Sequence, residues 1–132
     1  MRMRFVCCFS SLLGALLICS SCSLFAQDGK PYVRIAKIVV DSAQLKEYNA
    51  ALKEHAEAAI KKEPGVLTLY GVYDKEKPTH VTVFEIYASV AAYQSHIKTE
   101  HFLKYKSTVQ HMVTSLVLTD VVPIALESKY EK

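Results

Sequence analysis

The chain has no tryptophan, and in 132 residues only four glycines, four prolines and four cysteines. Cys7, Cys8, Cys19 and Cys22 all lie in the first 22 positions, so the chain beyond them has no means of building a disulfide, a thiol nucleophile or a thiolate metal site. Beyond Gly14, the glycines are Gly29, Gly65 and Gly71, too scattered for a phosphate loop or a dinucleotide fingerprint. No flavin or nicotinamide is indicated, and no cofactor is expected. Charge of one sign is scarce too. Setting aside Arg2 and Arg4 leaves 14 basic residues against 13 acidic ones, a net of about +1, and a nucleic-acid partner is not expected.

What is present begins with a leader. Arg2 and Arg4 precede a mainly apolar run over residues 5–18, followed by small residues to Ser23 and then Leu24-Phe25-Ala26-Gln27. This pattern predicts a secretory signal peptide over residues 1–26 and an exported, periplasmic protein. Its apolar core is shorter than the roughly 20 residues of a membrane span. In the alternative reading Cys22, after Cys19-Ser20-Ser21, is lipidated and anchors the chain to a membrane. Residues 27–132 then form a single domain by length, with a core over about residues 31–124.

Residues 32–40 alternate as a first strand, and Asp41 or Ser42 caps a helix whose apolar stripe is Leu45, Leu52, Ala56, Ala59 and Ile60. Glu63-Pro64-Gly65 ends that helix: proline biases the residue before it away from helical angles, and Gly65 accepts backbone conformations closed to others. Residues 66–73 and 80–87, rich in β-branched and aromatic side chains and joined by the polar turn 74–78, predict a hairpin. Ser89 and Thr99 read as caps of two short helices, the second running to about His111, and residues 114–122 as a last strand. The order is β-α-β-β-α-β with the second helical region broken in two, a ferredoxin-like α+β plan with an antiparallel sheet. Residues 80–87 are apolar on both alternating faces. One short chain supplies helices for one face, so the other is expected to meet a second subunit in a homodimer.

These pieces, in this order, resemble the antibiotic biosynthesis monooxygenase domains, the dimeric ferredoxin-like α/β-barrel proteins that include quinol monooxygenases. The likeness is carried by Glu63-Pro64-Gly65 before the second strand, by Phe84-Glu85-Ile86-Tyr87, by Tyr93 with His96, and by His101-Phe102. It spans nearly the whole chain after the leader. Tyr87 stands where many relatives carry tryptophan and Glu100 where proline is frequent. The lack of tryptophan counts against the related haem-degrading branch, which relies on that residue. The resemblance implies a cofactor-independent monooxygenase acting on a small aromatic or quinol-type substrate. Two alternatives are a non-catalytic dimer that binds a small apolar ligand and an oxygen-independent isomerase.

His101 is the first candidate base, placed in the first turn of a helix whose positive end favours a neutral imidazole. His96 is the second. On one continuous helix the two rings would stand about 140° apart, which does not suit a shared ion, so no metal site is expected. A break near Thr99 would let them converge, with Glu100 orienting one. Tyr70, Phe84, Tyr87, Tyr93, Phe102 and Tyr105 are candidate walls of an apolar slot between helices and sheet, and Asn49 a polar group facing it. Glu85 is expected to pair with Arg34 or Lys37, His55 and His80 to be solvated, and His111 to end its helix.

Overall fold

A computed structural model describes residues 30–129; the expected signal peptide, with Cys22, lies outside them. Strand β1 (Tyr32–Val40) leads through a 3-10 turn (Ser42–Gln44) into α1 (Leu45–Lys62). The hairpin strands β2 (Val66–Tyr73) and β3 (His80–Tyr87) follow, then α2 (Val90–His96), α3 (Glu100–Val109) and β4 (Val113–Val121). All neighbours pair antiparallel in the order β2-β3-β1-β4. This is the ferredoxin-like α+β fold, with its second helical region in two pieces.

Local chemistry accounts for the boundaries. Asp41 Oδ1 accepts from the Ala43 N–H, so the aspartate caps the 3-10 turn and the α-helix itself starts at Leu45. In the hairpin, Asp74 Oδ1 accepts from the backbone N–H groups of Glu76 and Lys77, which fixes the turn. Gly65 is not in the left-handed region. A β-carbon there would stand 2.7 Å from Ala92 Cβ, so glycine is needed for the close approach of α2.

All three helices lie on one face of the sheet. A β-carbon at Gly71 would meet Leu52 of α1 at 2.8 Å, which identifies that face. Ala36, Ile38, Leu69, Val81, Val83 and Tyr87 pack there against Tyr48, Leu52 and Ala59 of α1. The expected α1 stripe holds at Leu52 and Ala59, but Ile60 is 49% exposed, and Tyr48 and His55 occupy the buried positions instead. Alternation places Ile35, Val39, Tyr70, Val72, Phe84 and Val117 on the opposite face. Tyr70, Val72 and Val117 are each more than half exposed. Lys37, Val39, Val72, Thr82, Ser115 and Val117 line a shallow trough of about 480 Å³ on this bare face.

Candidate active site

Pro64 forces Glu63 out of the helix, and the residue adopts extended angles (φ −115°, ψ 105°) while its N–H still bonds to Ala59 O. The side chain leaves the α1 axis and reaches the junction of α2 and α3. There Glu63 Oε1 lies 2.8 Å from His96 Nδ1 and 2.5 Å from His101 Nε2. His96 closes α2 and His101 is the second residue of α3, so the break between the helices turns both rings toward one oxygen. Thr99 holds the break. Its hydroxyl donates to His96 O and accepts from the Phe102 N–H.

That assignment fixes a proton. The Thr99 hydroxyl has one hydrogen, spent on His96 O, so His101 Nε2, 3.3 Å from Thr99 Oγ1, is the donor to both oxygens near it. A carboxylate at Glu63 likewise requires an N–H at His96 Nδ1. In neutral rings the basic lone pairs therefore sit on His101 Nδ1 and His96 Nε2. The His96 side chain is 1% exposed, and those of Glu63 and His101 are 13% exposed.

Residues 31–108 match the family model described as antibiotic biosynthesis monooxygenase. The chain belongs to this family. A protein of Bacteroides thetaiotaomicron VPI-5482 with the same family description is 49% identical, with a TM-score of 0.74 over 77% of this chain and 97% of its own. Two more with that description share the fold: one from Nitrosomonas europaea at 22% identity and TM-score 0.68, covering 73% of this chain and 92% of its own, and one from Caulobacter crescentus CB15 at 20% and 0.69, covering 74% and 92%. No curated protein matches.

Within this antibiotic biosynthesis monooxygenase fold, the third imidazole is an unforeseen one. His55, expected to be solvated, is not. It is 5% exposed, stacks on Tyr105 at 4.7 Å and 11°, and lies 5.2 Å and 5.7 Å from the rings of His96 and His101. Burial, reinforced by the two other imidazoles, pushes its pKa down to about 4, so the ring is neutral at pH 7. Its Nδ1 is buried without a hydrogen-bond partner among the described residues. His80 is exposed as expected, and His111, expected to end its helix, is exposed in the turn after α3 stops at Val109.

Of the expected pocket residues, four gather at the histidines. Tyr87 and Phe102 lie 5.3 Å and 5.1 Å from the His96 ring, Tyr93 packs on Tyr87 at 5.4 Å, and Tyr105 stacks on His55. Burial, with Glu85 beside one and Tyr48 beside the other, pushes the hydroxyls of Tyr87 and Tyr105 far above the ordinary tyrosine range. Tyr70 and Phe84 are not part of this group: strand alternation turns both to the bare face. Asn49 is half-buried on α1, away from the wall of the cleft at His101. Glu100 is exposed, and Glu63 orients the rings in its place.

A second polar cluster continues the wall. Arg34 donates through Nη1 to Tyr93 OH, through Nη2 to Tyr32 OH, and through Nε to Asp120 Oδ1 at 2.8 Å, where Tyr32 OH also donates. Burial and the bond to Asp120 push the Tyr32 hydroxyl up to about 12, and the Arg34 and Tyr32 hydrogen bonds hold Asp120 below the usual carboxylate range. Glu85 stands opposite Arg34 in the β1–β3 register, but the expected ion pair does not form: Arg34 pairs with Asp120, and Glu85 accepts from Tyr87 OH; burial raises its pKa.

The expected aromatic slot is filled by Tyr48, Tyr87 and His96, all less than 2% exposed. What opens at the site is a cleft of about 100 Å³ between α1 and α3, lined by Ala51, His55, Ala58, His101, Tyr105 and Thr108. That is room for about three water molecules, below the roughly 300 Å³ at which small-molecule pockets begin. Dioxygen or the edge of a ring fits; a polycyclic substrate requires the α1–α3 seam to widen.

Proposed function

We propose that the protein is an exported homodimeric monooxygenase that inserts one atom of dioxygen into a small electron-rich aromatic substrate of the anthrone or quinol kind, without a cofactor. The observation that carries this reading is Glu63 Oε1 within hydrogen-bond reach of both His96 and His101, in a chain of the monooxygenase family. With its Nε2–H on a carboxylate, His101 is oriented with its lone pair at Nδ1, the logic by which an acid holds a histidine general base in its working tautomer.

The reaction balances on the substrate's own electrons. His101 takes the proton from an activated C–H, the carbanion gives electrons to dioxygen, and a C–O bond forms as the peroxide. Loss of water from the hydroperoxide leaves a carbonyl. One oxygen atom stays in the product, the other leaves as water, and no external reductant is consumed. The buried rings around His96 keep solvent from the intermediate.

The bare face supports the dimer. Ile35, Val39, Tyr70, Val72, Phe84 and Val117 form an apolar surface of the kind a second copy covers. Residues 1–26 support export, either by cleavage after Ala26 or by lipidation at Cys22.

Oxygen uptake by the dimer with a panel of anthrones, hydroxynaphthalenes and quinols tests this reading. Uptake matched to product, and falling at least about a hundredfold in His101→Ala, the scale of a lost general base, is the expected result. Uptake no faster than autoxidation across the panel would refute it.

A further inference from the structure

We infer that Glu63, His96 and His101 form a binding site for a divalent first-row transition-metal ion of the zinc type, held by one carboxylate oxygen and two imidazole nitrogens. The five-residue spacing of the histidines excludes a shared ion only on a continuous helix. The break over residues 97–99 removes that obstacle and brings Glu63 Oε1, His96 Nδ1 and His101 Nε2 within 4.8 Å of one another.

The donor set is chemically specific. Two imidazoles and one carboxylate suit zinc, cobalt, nickel or ferrous iron, and do not suit calcium or magnesium, which take oxygen ligands. Ligand bonds of about 2.0–2.1 Å place neighbouring donor atoms about 3.0–3.4 Å apart. The present separations from Glu63 Oε1, 2.8 Å and 2.5 Å, need the carboxylate to withdraw by less than about 1 Å, and the two imidazole nitrogens, within 4.8 Å of each other, close to the same range as the rings turn toward the ion. An ion so placed replaces the two N–H protons that now face Glu63.

His55 supplies the independent observation. It is a 95% buried imidazole, its Nδ1 has no partner among the described residues, and its ring lies within 6 Å of both ligand rings. Three protein ligands leave an open position on such an ion, filled by water. A water there gives His55 Nδ1 a partner, and outer-shell groups of metal sites commonly make such bonds. The cleft between α1 and α3, lined by both His55 and His101, is the entry path.

The inference shares side chains with the proposed oxidation but not its premise. A bound ion occupies the groups that orient the base, so it silences that chemistry; binding itself is read without turnover. The experiment is titration of the dialysed dimer with Zn²⁺ by calorimetry, and with Co²⁺ by its visible d–d absorption. One ion per chain is expected, with affinity weakened at least about 100-fold in both Glu63→Gln and His101→Ala, and unchanged in a His80→Ala/His111→Ala variant. Circular dichroism verifies that each variant is folded. Absence of stoichiometric binding, or binding lost with the surface histidines and kept in Glu63→Gln, would overturn the site.

Discussion

The two faces of the sheet are built from similar apolar strands yet finished in opposite ways. Beneath the helices, side chains of β1, β3 and α1 such as Ile38, Val83, Tyr87 and Tyr48 are buried against one another, and two sets of polar groups are held together: Glu63 with His96 and His101, and Arg34 with Tyr32, Tyr93 and Asp120. On the other face Tyr70, Val72 and Val117 remain more than half exposed, and no helix of the described residues covers them. Burial completed within the chain creates an environment where a carboxylate and imidazoles can be held for chemistry. Burial left incomplete leaves an apolar surface, the one proposed to meet a second copy.

The contrast can be broken hardest at α1. Tyr48→Ala empties a fully buried site and removes the bond to Tyr105, and should cost about 3–5 kcal/mol by urea denaturation. The matching truncation on the bare face, Tyr70→Ala, should cost under about 1 kcal/mol in dilute solution, because little burial is lost. Equal costs would mean the bare face is as well packed as the core.

Acid sharpens the comparison next. His55 binds its proton far less readily folded than unfolded, so below the ordinary histidine pKa of 6.5 the unfolded chain takes up the proton first. Stability should fall as pH drops from about 6.5 to about 4, by up to about 3 kcal/mol. His55→Phe should flatten that segment of the stability–pH curve; an unchanged slope would place the acid sensitivity elsewhere.

A charge on the bare face, Val72→Lys, should leave the chain folded by circular dichroism while sedimentation velocity shifts from dimer to monomer. A folded dimer in this variant would remove the bare face as the subunit contact. The smallest effect is expected at Glu85. Its carboxyl is raised by burial, so the folded state binds more protons and stability declines as pH rises through that pKa. Glu85→Gln should remove the decline and raise the urea midpoint slightly at pH 7.

Much of the architecture is legible from local signals. The runs 66–73 and 80–87 around a polar turn delimit β2 and β3 as found, and the hydroxyls of Ser89 and Thr99 mark both short helices because a cap acts within three residues. What local signals do not carry is the partner of a cap or a strand across space. Glu63 reads as a helix stop and is one, but its carboxylate meets histidines 33 and 38 residues away, a closure decided by packing. His55 was detectable. It lies seven residues after Tyr48, three after Leu52 and four before Ala59, on the buried stripe of α1, and its charged neighbours Lys53, Glu54 and Glu57 masked that periodicity. Tyr70 and Phe84 were misassigned because alternation shows which residues share a face and not which face receives the helices.

The junction at Thr99 has a consequence for when the protein can act. Two imidazoles and a carboxylate arrive on three separate segments, stitched by one hydroxyl and one carboxylate oxygen. A newly made chain, or one threaded unfolded across a membrane, carries three scattered side chains with neither a paired base nor a chelating set. The site thus comes into being only with the docking of α2 and α3 on α1, and whatever reactive or metal-capturing behaviour it has is confined to the place where the chain folds.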